Sequence, residues 1–332
     1  MKRIAAIDST KGFAILMLLF SHCITGEGNL KTWIFSWHMP IFFIICGLLN
    51  HLRNPKGLPL YELKSWLKRR LRQIFIPYFV FGLFYITAIN SLSYISGNKI
   101  NLWNDCISLI TMQGVASMWF LPVFFFSEIF FVFFIAKFPN IIQVLFIIII
   151  IILLTLLQYN GGMPTDNIIR LLLKISVALS FVILGHGIGI LYKYHIPFLL
   201  LVITLFIASL ISLYNGFVGI GALLFGNAIL FFTTGFSISY TIIMLFKAIS
   251  NHINLNLLNL FGANSIIILV TNNLLIEIFR LFEYKLFNNF FLEHGLIGGL
   301  LMTIILIIPE YYLIHLSKGK VGILFGKVIS KT

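Results

Sequence analysis

Seven ionisable side chains stand inside long apolar stretches of this chain: His22, His38, Glu128, Lys174, His186, Glu277 and Arg280. A charge at the centre of a hydrocarbon layer costs about 2.5–3.5 kcal/mol on insertion scales, so each such residue is a candidate for function. His22 and His38 carry the most information. With Leu30 at the tip of a hairpin, each lies eight residues from it, about 12 Å along its helix at 1.5 Å per residue. The two imidazoles are then expected at one level on neighbouring helices. By the same counting Lys174 and Glu277 fall in the outer halves of their spans and Glu128 nearer the middle. The set converges on a polar cavity in the outer half of a membrane. A neutral imidazole titrating near pH 6.5 suits the removal of a proton from a hydroxyl. The plainer role for a membrane histidine is a hydrogen bond to a neighbouring helix. His186, between Gly185 and Gly187 with no visible partner, reads that way.

A second group could hold anions. In YELKSWLKRRLRQIFIPY, residues 61–78, Leu63, Trp66, Leu67 and Leu71 recur at helical spacing with Lys64, Lys68, Arg69, Arg70 and Arg72 around them. This predicts an amphipathic interfacial helix over about 61–73, with a kink at Pro77. Guanidinium groups make paired hydrogen bonds to phosphate oxygens. The same cluster equally suits anionic lipid headgroups. Cys23, Cys46 and Cys106 have no metal-ligand spacing and read as packing residues, so no metal site is expected.

The elements that position these residues follow from composition. Hydrophobic residues make up 60% of the chain and charged residues 10%, with a mean hydropathy of +1.03, against about 25% charged in soluble domains. Apolar runs predict about ten transmembrane helices over roughly 11–29, 33–51, 74–96, 117–136, 140–158, 168–192, 196–214, 226–248, 264–283 and 295–316. Backbone groups find no water in lipid, and no run alternates as a barrel strand does. The predicted fold is an all-α polytopic membrane helix bundle. The runs leave no segment for a soluble domain, so residues 1–332 read as a single integral-membrane domain.

The formal charge of +13 is distributed by position. Lys2 and Arg3, Arg53 through Arg72, Lys137, Lys193, Lys247, and then Lys318, Lys320, Lys327 and Lys331 fall in alternate gaps. The other gaps hold only Lys31, Lys99, Arg170 and Lys285. This asymmetry predicts that the first set, and both termini, are cytoplasmic. No basic segment accompanies a folded recognition element, which excludes nucleic acid as a partner. Asp8 and Lys11, and the lack of a small-residue cleavage site, predict a retained first helix rather than a signal peptide. Trp33, Trp37, Trp103 and Trp119 are expected at the outer interface.

Several ordered blocks are similar to a known family. AAIDSTKGFAILMLLFSHC, IFSWHMPIFFIICGLL, KRRLRQIFIPYFVFGL and SMWFLPVFFF, with FGANSIIILV more loosely, resemble the acyltransferase-3 family of membrane acyltransferases, and within it the fucose 4-O-acetylase-like branch. The family pattern of a basic residue, ten intervening residues and a histidine is met by Lys11 and His22, with Lys where Arg is commoner. Asp8 matches the aspartate before the basic residue. The Arg-x-x-Arg pattern is met by Arg69 and Arg72, and the block with His38, Met39 and Pro40 matches the branch. Where many members carry a histidine in the ninth span, this chain has Thr271, Asn272 and Asn273.

The resemblance implies an acyltransferase, in the first instance an O-acetyltransferase. Acetyl would move from cytoplasmic acetyl-coenzyme A to a hydroxyl of a cell-surface polysaccharide or lipid-linked sugar, in the inner membrane of a bacterium. His22, His38, Lys11 and Asp8 are the implied catalytic set, with His22 as the base. Arg69, Arg70, Arg72 and Lys11 are expected to bind the acyl-coenzyme A. Trp119, Glu128, Lys174 and Asn272 are weaker candidates for contacting the acceptor. About 16 Å of helix separates Lys11 from His22, which lets phosphates held inside place an extended thioester near the histidine. Acyl-coenzyme A is a substrate here, and no bound cofactor is expected. The expected partners are that donor, the glycan acceptor and membrane lipids.

Two points stay open in the sequence. Transfer can be direct or pass through an acyl-His22 intermediate. His38 can orient His22, bind the acceptor or act as a second base. The rival function is a transporter or flippase of a glycan or lipid-linked intermediate, using the same cavity without covalent chemistry. That rival predicts inverted repeats, which are not evident. A silent assembly partner is the third class. No further catalytic domain is expected after the last span, so a second transfer step would fall to another protein.

Overall fold

The computed structural model describes residues 4–26, 28–54, 58–95, 99–160, 162–286 and 289–328. Lys2, Arg3, Lys56 and Lys331 of the charge pattern, and the centre of the RNPKGLP loop, lie outside the described residues. The described chain forms an all-α polytopic helix bundle. Its one β pairing there is an isolated bridge between Gly219 and Leu224. Nine helical segments among the described residues are long and apolar enough to cross a membrane. The remaining expected span corresponds to α1 (Ala5–Cys23), whose first half carries Asp8 and Lys11.

The chain divides into two compact units, with boundaries inside α1 after Ser21 and inside α6 (Phe120–Phe133) after Phe125. The first unit holds α2 (Asn29–Trp37), α3 (Pro40–Arg53), α7 (Asn140–Tyr159), α8 (Asn167–Leu191), α9 (Phe198–Asn215), α10 (Ala228–Ile249) and α11 (Asn256–Ala263), with the start of α1 and the end of α6. A close seam joins α3 and α8 through reciprocal glycines. A Cβ on Gly47 would sit 1.9 Å from the Val182 carbonyl oxygen, and one on Gly185 2.0 Å from that of Ile44. Lipid tails offer no hydrophobic drive between helices, so small residues that let backbones approach supply the packing. Gly12 and Gly262 do the same between α1 and α11, where an added Cβ would meet the Leu258 or Asp8 carbonyl oxygen at 2.0 or 1.8 Å. Large apolar side chains of α7 and α9, among them Ile141, Ile149, Leu199 and Phe206, remain exposed. Such faces suit lipid and not water.

The second unit holds α4 (Leu60–Ile95), α5 (Leu102–Ile110), a 3₁₀ turn (Ala116–Trp119) with the start of α6, α12 (Ser265–Leu286), α13 (Phe290–Glu293), α14 (Gly295–Leu316) and a second 3₁₀ turn (Lys320–Phe325). Its axis is α4, which at 36 residues is about 54 Å long, well beyond a hydrocarbon core of about 30 Å. The Tyr78 hydroxyl donates to the Leu109 carbonyl at 2.8 Å, tying α4 to α5. Phe81 stacks on Phe325 with ring centres 4.7 Å apart, tying α4 to the second 3₁₀ turn.

Gaps grouped by charge share an end inside each unit. In the first, Lys247 donates to the Tyr192 and Tyr194 carbonyls, joining the gaps that carry Lys193 and Lys247. Arg170 reaches the Ala222 carbonyl, joining two of the lysine-poor gaps. In the second, Gly326 approaches Arg72 so closely that a Cβ would lie 2.4 Å from the Arg72 carbonyl oxygen.

Four expectations are corrected. The first helix runs over Ala5–Cys23 instead of 11–29, because Asp8 and Lys11 pair at 2.7 Å and are carried inside the helix. The second span is two helices broken at His38 and Met39, since Pro40 has no N–H to continue the ladder. The interfacial segment 61–73 and the third span form one uninterrupted helix through Pro77. Trp37 is no interface anchor: it is fully buried and stacks on Phe13 at 5.7 Å.

Candidate active site

The expected site residues divide between the units. In the first, α1 presents Asp8 and Lys11 one turn apart, closed into an ion pair of 2.7 Å. Ser9 donates to Asn259 Oδ1 at 2.7 Å and fixes this turn of α1 against α11. His38, Glu128 and Lys174 are all buried. His38 occupies the break between α2 and α3, where its Nδ1 lies 2.8 Å from the Ile34 carbonyl oxygen and its ring meets Phe35 edge-on at 4.8 Å. A carbonyl only accepts, so Nδ1 carries the proton in the neutral ring and Nε2 the lone pair.

His186 has a partner after all. Its ring lies 4.8 Å from that of His51, with Phe131 at 5.1 Å. Gly189 makes room for this pair, because a Cβ there would sit 2.2 Å from the His51 ring. Sequence reasoning missed His51 because it closes an apolar run and looks like a solvated end. Both Cys23 and Cys46 are buried, as packing residues should be.

The second unit holds His22, Arg69, Arg70, Arg72, Trp119 and Asn272. His22 is half-buried as the penultimate residue of α1, not 12 Å inside its span, because the helix stops at Cys23 ahead of the Thr25 and Gly26 turn. Arg280 Nη2 lies 3.5 Å from the His22 carbonyl oxygen, and Arg280 Nη1 pairs with Glu277 at 3.6 Å. Arg280 and Glu277 keep 35% and 39% of their side-chain surface. Tyr85 on α4 stands within electrostatic reach of Glu277, Arg280 and Asp105. The end of α1 at His22 is thus bordered by a half-open charged pair.

On α4 the buried Trp66 is followed one turn later by Arg69 and Arg70, and then by Arg72. Arg69 is exposed, Arg70 and Arg72 are half-buried. Arg72 Nε is buried without a hydrogen-bond acceptor among the described residues. The exposed Lys318 and Lys320 lie just before and at the start of the second 3₁₀ turn, which packs on α4 at this end.

The ninth-span departure from the histidine pattern has a structural counterpart. Asn273 donates to Ser117 Oγ at 2.7 Å, and Ser117 Oγ lies 3.4 Å from Asn272 Oδ1 and 3.2 Å from the Leu269 carbonyl. These bonds hold the 3₁₀ turn that carries the half-buried Trp119. Beside them, Thr271 Oγ1 lies 2.9 Å from both carboxylate oxygens of Glu310, which is buried in α14. Glu310 went unnoticed in the sequence, although an acid within LMTIILIIPEYYLIHL was a visible signal.

These features define a multi-pass membrane helix bundle, and the comparison with known families gives its class. A family model described as an acyltransferase domain matches residues 4–311. The chain belongs to this acyltransferase-3 family and is a multi-pass membrane acyltransferase. No curated protein and no solved structure matches the chain.

Proposed function

We propose that the protein is an acyl-coenzyme A-dependent O-acetyltransferase of the bacterial inner membrane, in the fucose 4-O-acetylase-like branch. It moves acetyl from cytoplasmic acetyl-coenzyme A to a hydroxyl of a cell-surface polysaccharide or lipid-linked sugar. The observation that supports this reading is that half-buried His22 and the arginines of α4 belong to one compact unit.

The donor carries phosphates, and Arg69, Arg70 and Arg72 offer the guanidinium forks that bind them. The Arg72 Nε, lacking an acceptor among the described residues, supports an anion here. Lys11 stands eleven residues before His22 on α1, about 16 Å along the axis. Asp8 holds the Lys11 ammonium in place.

In the reaction His22 takes the proton of the acceptor hydroxyl as its oxygen attacks the thioester carbonyl carbon. A C–O bond forms and the C–S bond breaks. The imidazolium returns its proton to the departing thiolate, so that the products are an O-acetyl ester and coenzyme A. Arg280, held against the His22 carbonyl, positions the end of α1. His38, with Nδ1 committed to Ile34, holds the break between α2 and α3. Trp119 and Asn272 are assigned to shaping the acceptor side.

The test is transfer of labelled acetyl from acetyl-coenzyme A by purified protein, compared between wild type and His22→Ala. Label passing to a hydroxyl acceptor in wild type and not in the variant supports the reading. Equal envelope O-acetylation in cells with and without the gene, at confirmed expression, overturns it.

A further inference from the structure

Beyond the donor face, the second unit holds a cleft of ≈ 350 Å³ that none of the foregoing roles uses. It is lined by Tyr85, Asn90, Lys99, Asn101, Asp105 and Ser108, with parts of the segment leading to the first 3₁₀ turn. The volume falls within the range of small-molecule sites, about 300–1,000 Å³. Its position along α4 is fixed by residue count. Asn90 stands eighteen residues after Arg72 on one uninterrupted helix, about 27 Å along the axis. The cleft and the arginine face therefore lie about one hydrocarbon thickness apart, at opposite ends of the same helix.

The cleft is built, not a chance gap between loops. Asn90 Nδ2 donates to the Ile86 carbonyl and to Asp105 Oδ2, both at 2.9 Å. Asn90 Oδ1 accepts from the Asn101 backbone N–H at 3.0 Å. One buried amide thus fixes the carboxylate of α5 and the chain leading into it. The site's own charges are one cation, Lys99, and one anion, Asp105, so it offers no net attraction for phosphate. What it offers is a carboxylate, amides, a hydroxyl and an aromatic ring within one small volume. Vicinal hydroxyls that both donate and accept match that set, and a ring face can lie against Tyr85.

We infer that this cleft binds the neutral sugar ring of the acceptor, with Asp105 accepting hydrogen bonds from ring hydroxyls and Tyr85 offering its ring face. The link to catalysis lies within the same unit: Tyr85 is in electrostatic reach of Arg280, and Arg280 holds the His22 carbonyl. A sugar seated here has its donor approaching from the opposite end of α4. The assignment rests on the acyltransferase reading for its meaning, and its test reads binding independently of turnover.

The experiment uses the full chain in nanodiscs, with no sugar-headed detergent and no donor. Saturation-transfer NMR is recorded with neutral methyl hexosides, 6-deoxyhexosides and a methyl hexuronide. The expected result is transfer to a neutral glycoside, weakened about ten-fold in affinity by Asp105→Asn, which keeps the shape that Asn90 grips. Ser108→Ala is the second variant should the first lose its fold, and is expected to weaken binding in the same direction. No saturation of any neutral glycoside overturns the site, as does equal binding by wild type and both variants, or preference for the hexuronide. A long-alkyl glycoside that binds more tightly than the methyl form marks a lipid-borne acceptor, and equal binding marks a polymer-borne one. Adding labelled acetyl-coenzyme A separates the two readings. Sugar binding lost in Asp105→Asn without any acyl transfer by wild type keeps the site and removes the enzyme. Acyl transfer by wild type with acceptor KM unchanged in the variants keeps the enzyme and removes the site.

Discussion

In the first unit His38, Glu128 and Lys174 are sealed away, while in the second His22, Glu277 and Arg280 keep an open face. His38, Glu128 and Lys174 are each 3% exposed or less, and Asp8 and Lys11 satisfy one another. In the second unit His22 is half-buried, and the Glu277 and Arg280 pair keeps 39% and 35% of its side-chain surface. A charge sealed at membrane depth has to be satisfied by protein, since leaving it unpaired costs several kcal/mol. A group that meets substrates has to keep a face open. The comparison teaches that these groups divide by exposure, the sealed set being enclosed by protein and the half-open set keeping a face toward its surroundings, and it predicts that chemistry falls to the half-open set.

Breaking that distinction is most direct at the two histidines. His22→Ala is expected to lower acetyl transfer by about 10²–10⁴-fold with an unchanged yield of folded protein, read with labelled acetyl-coenzyme A. His38→Ala is expected to lower thermal stability while retaining measurable transfer. A well-folded, inactive His38→Ala beside an active His22→Ala would reverse the roles of the two units.

The next effect is on packing in the first unit. Gly185→Leu drives a side chain into the Ile44 backbone, costing about 1–3 kcal/mol or more, and should collapse the monodisperse peak in size-exclusion chromatography. Gly187→Leu, where a Cβ meets nothing within 4 Å, should elute as wild type. Equal behaviour of the two would remove the glycine seam from the account.

In the second unit Thr271→Val takes the hydroxyl from buried Glu310. A loss of about 1–3 kcal/mol should appear as a lower melting temperature in detergent, with activity kept at permissive temperature. The smallest expected effect sharpens the donor face. Arg69→Ala and Arg72→Ala should each raise the KM for acetyl-coenzyme A about ten-fold with kcat nearly unchanged. A drop in membrane insertion with normal KM would instead assign these arginines to lipid headgroups.

Much of the fold was legible before any coordinates. Continuous apolar runs imply helices because unsatisfied backbone groups are intolerable in lipid, and that penalty is local to each run. The helices from α7 to α10 and the last two spans therefore lie close to their expected bounds. The ordered blocks around Lys11, His22, Arg69 and Arg72 were equally visible, because family motifs are read along the chain and the family match covers them. The first hairpin was misread because hydropathy does not register an Asp8 and Lys11 ion pair one turn apart, nor the missing N–H of Pro40.

The chain's own order of residues thus determined that it is a membrane helix bundle of this family and which side chains carry its motifs. Tertiary structure alone decided that His51 meets His186, that Asn273 and Asn272 hold Ser117, that Thr271 covers Glu310, and that Asn90 grips Asp105 to shape a cleft. The reason is physical. Transfer from water to lipid adds up along a segment, so it can be summed from residue types. A contact between helices depends on the rotation and approach of both, which close glycine seams and helix breaks set in three dimensions.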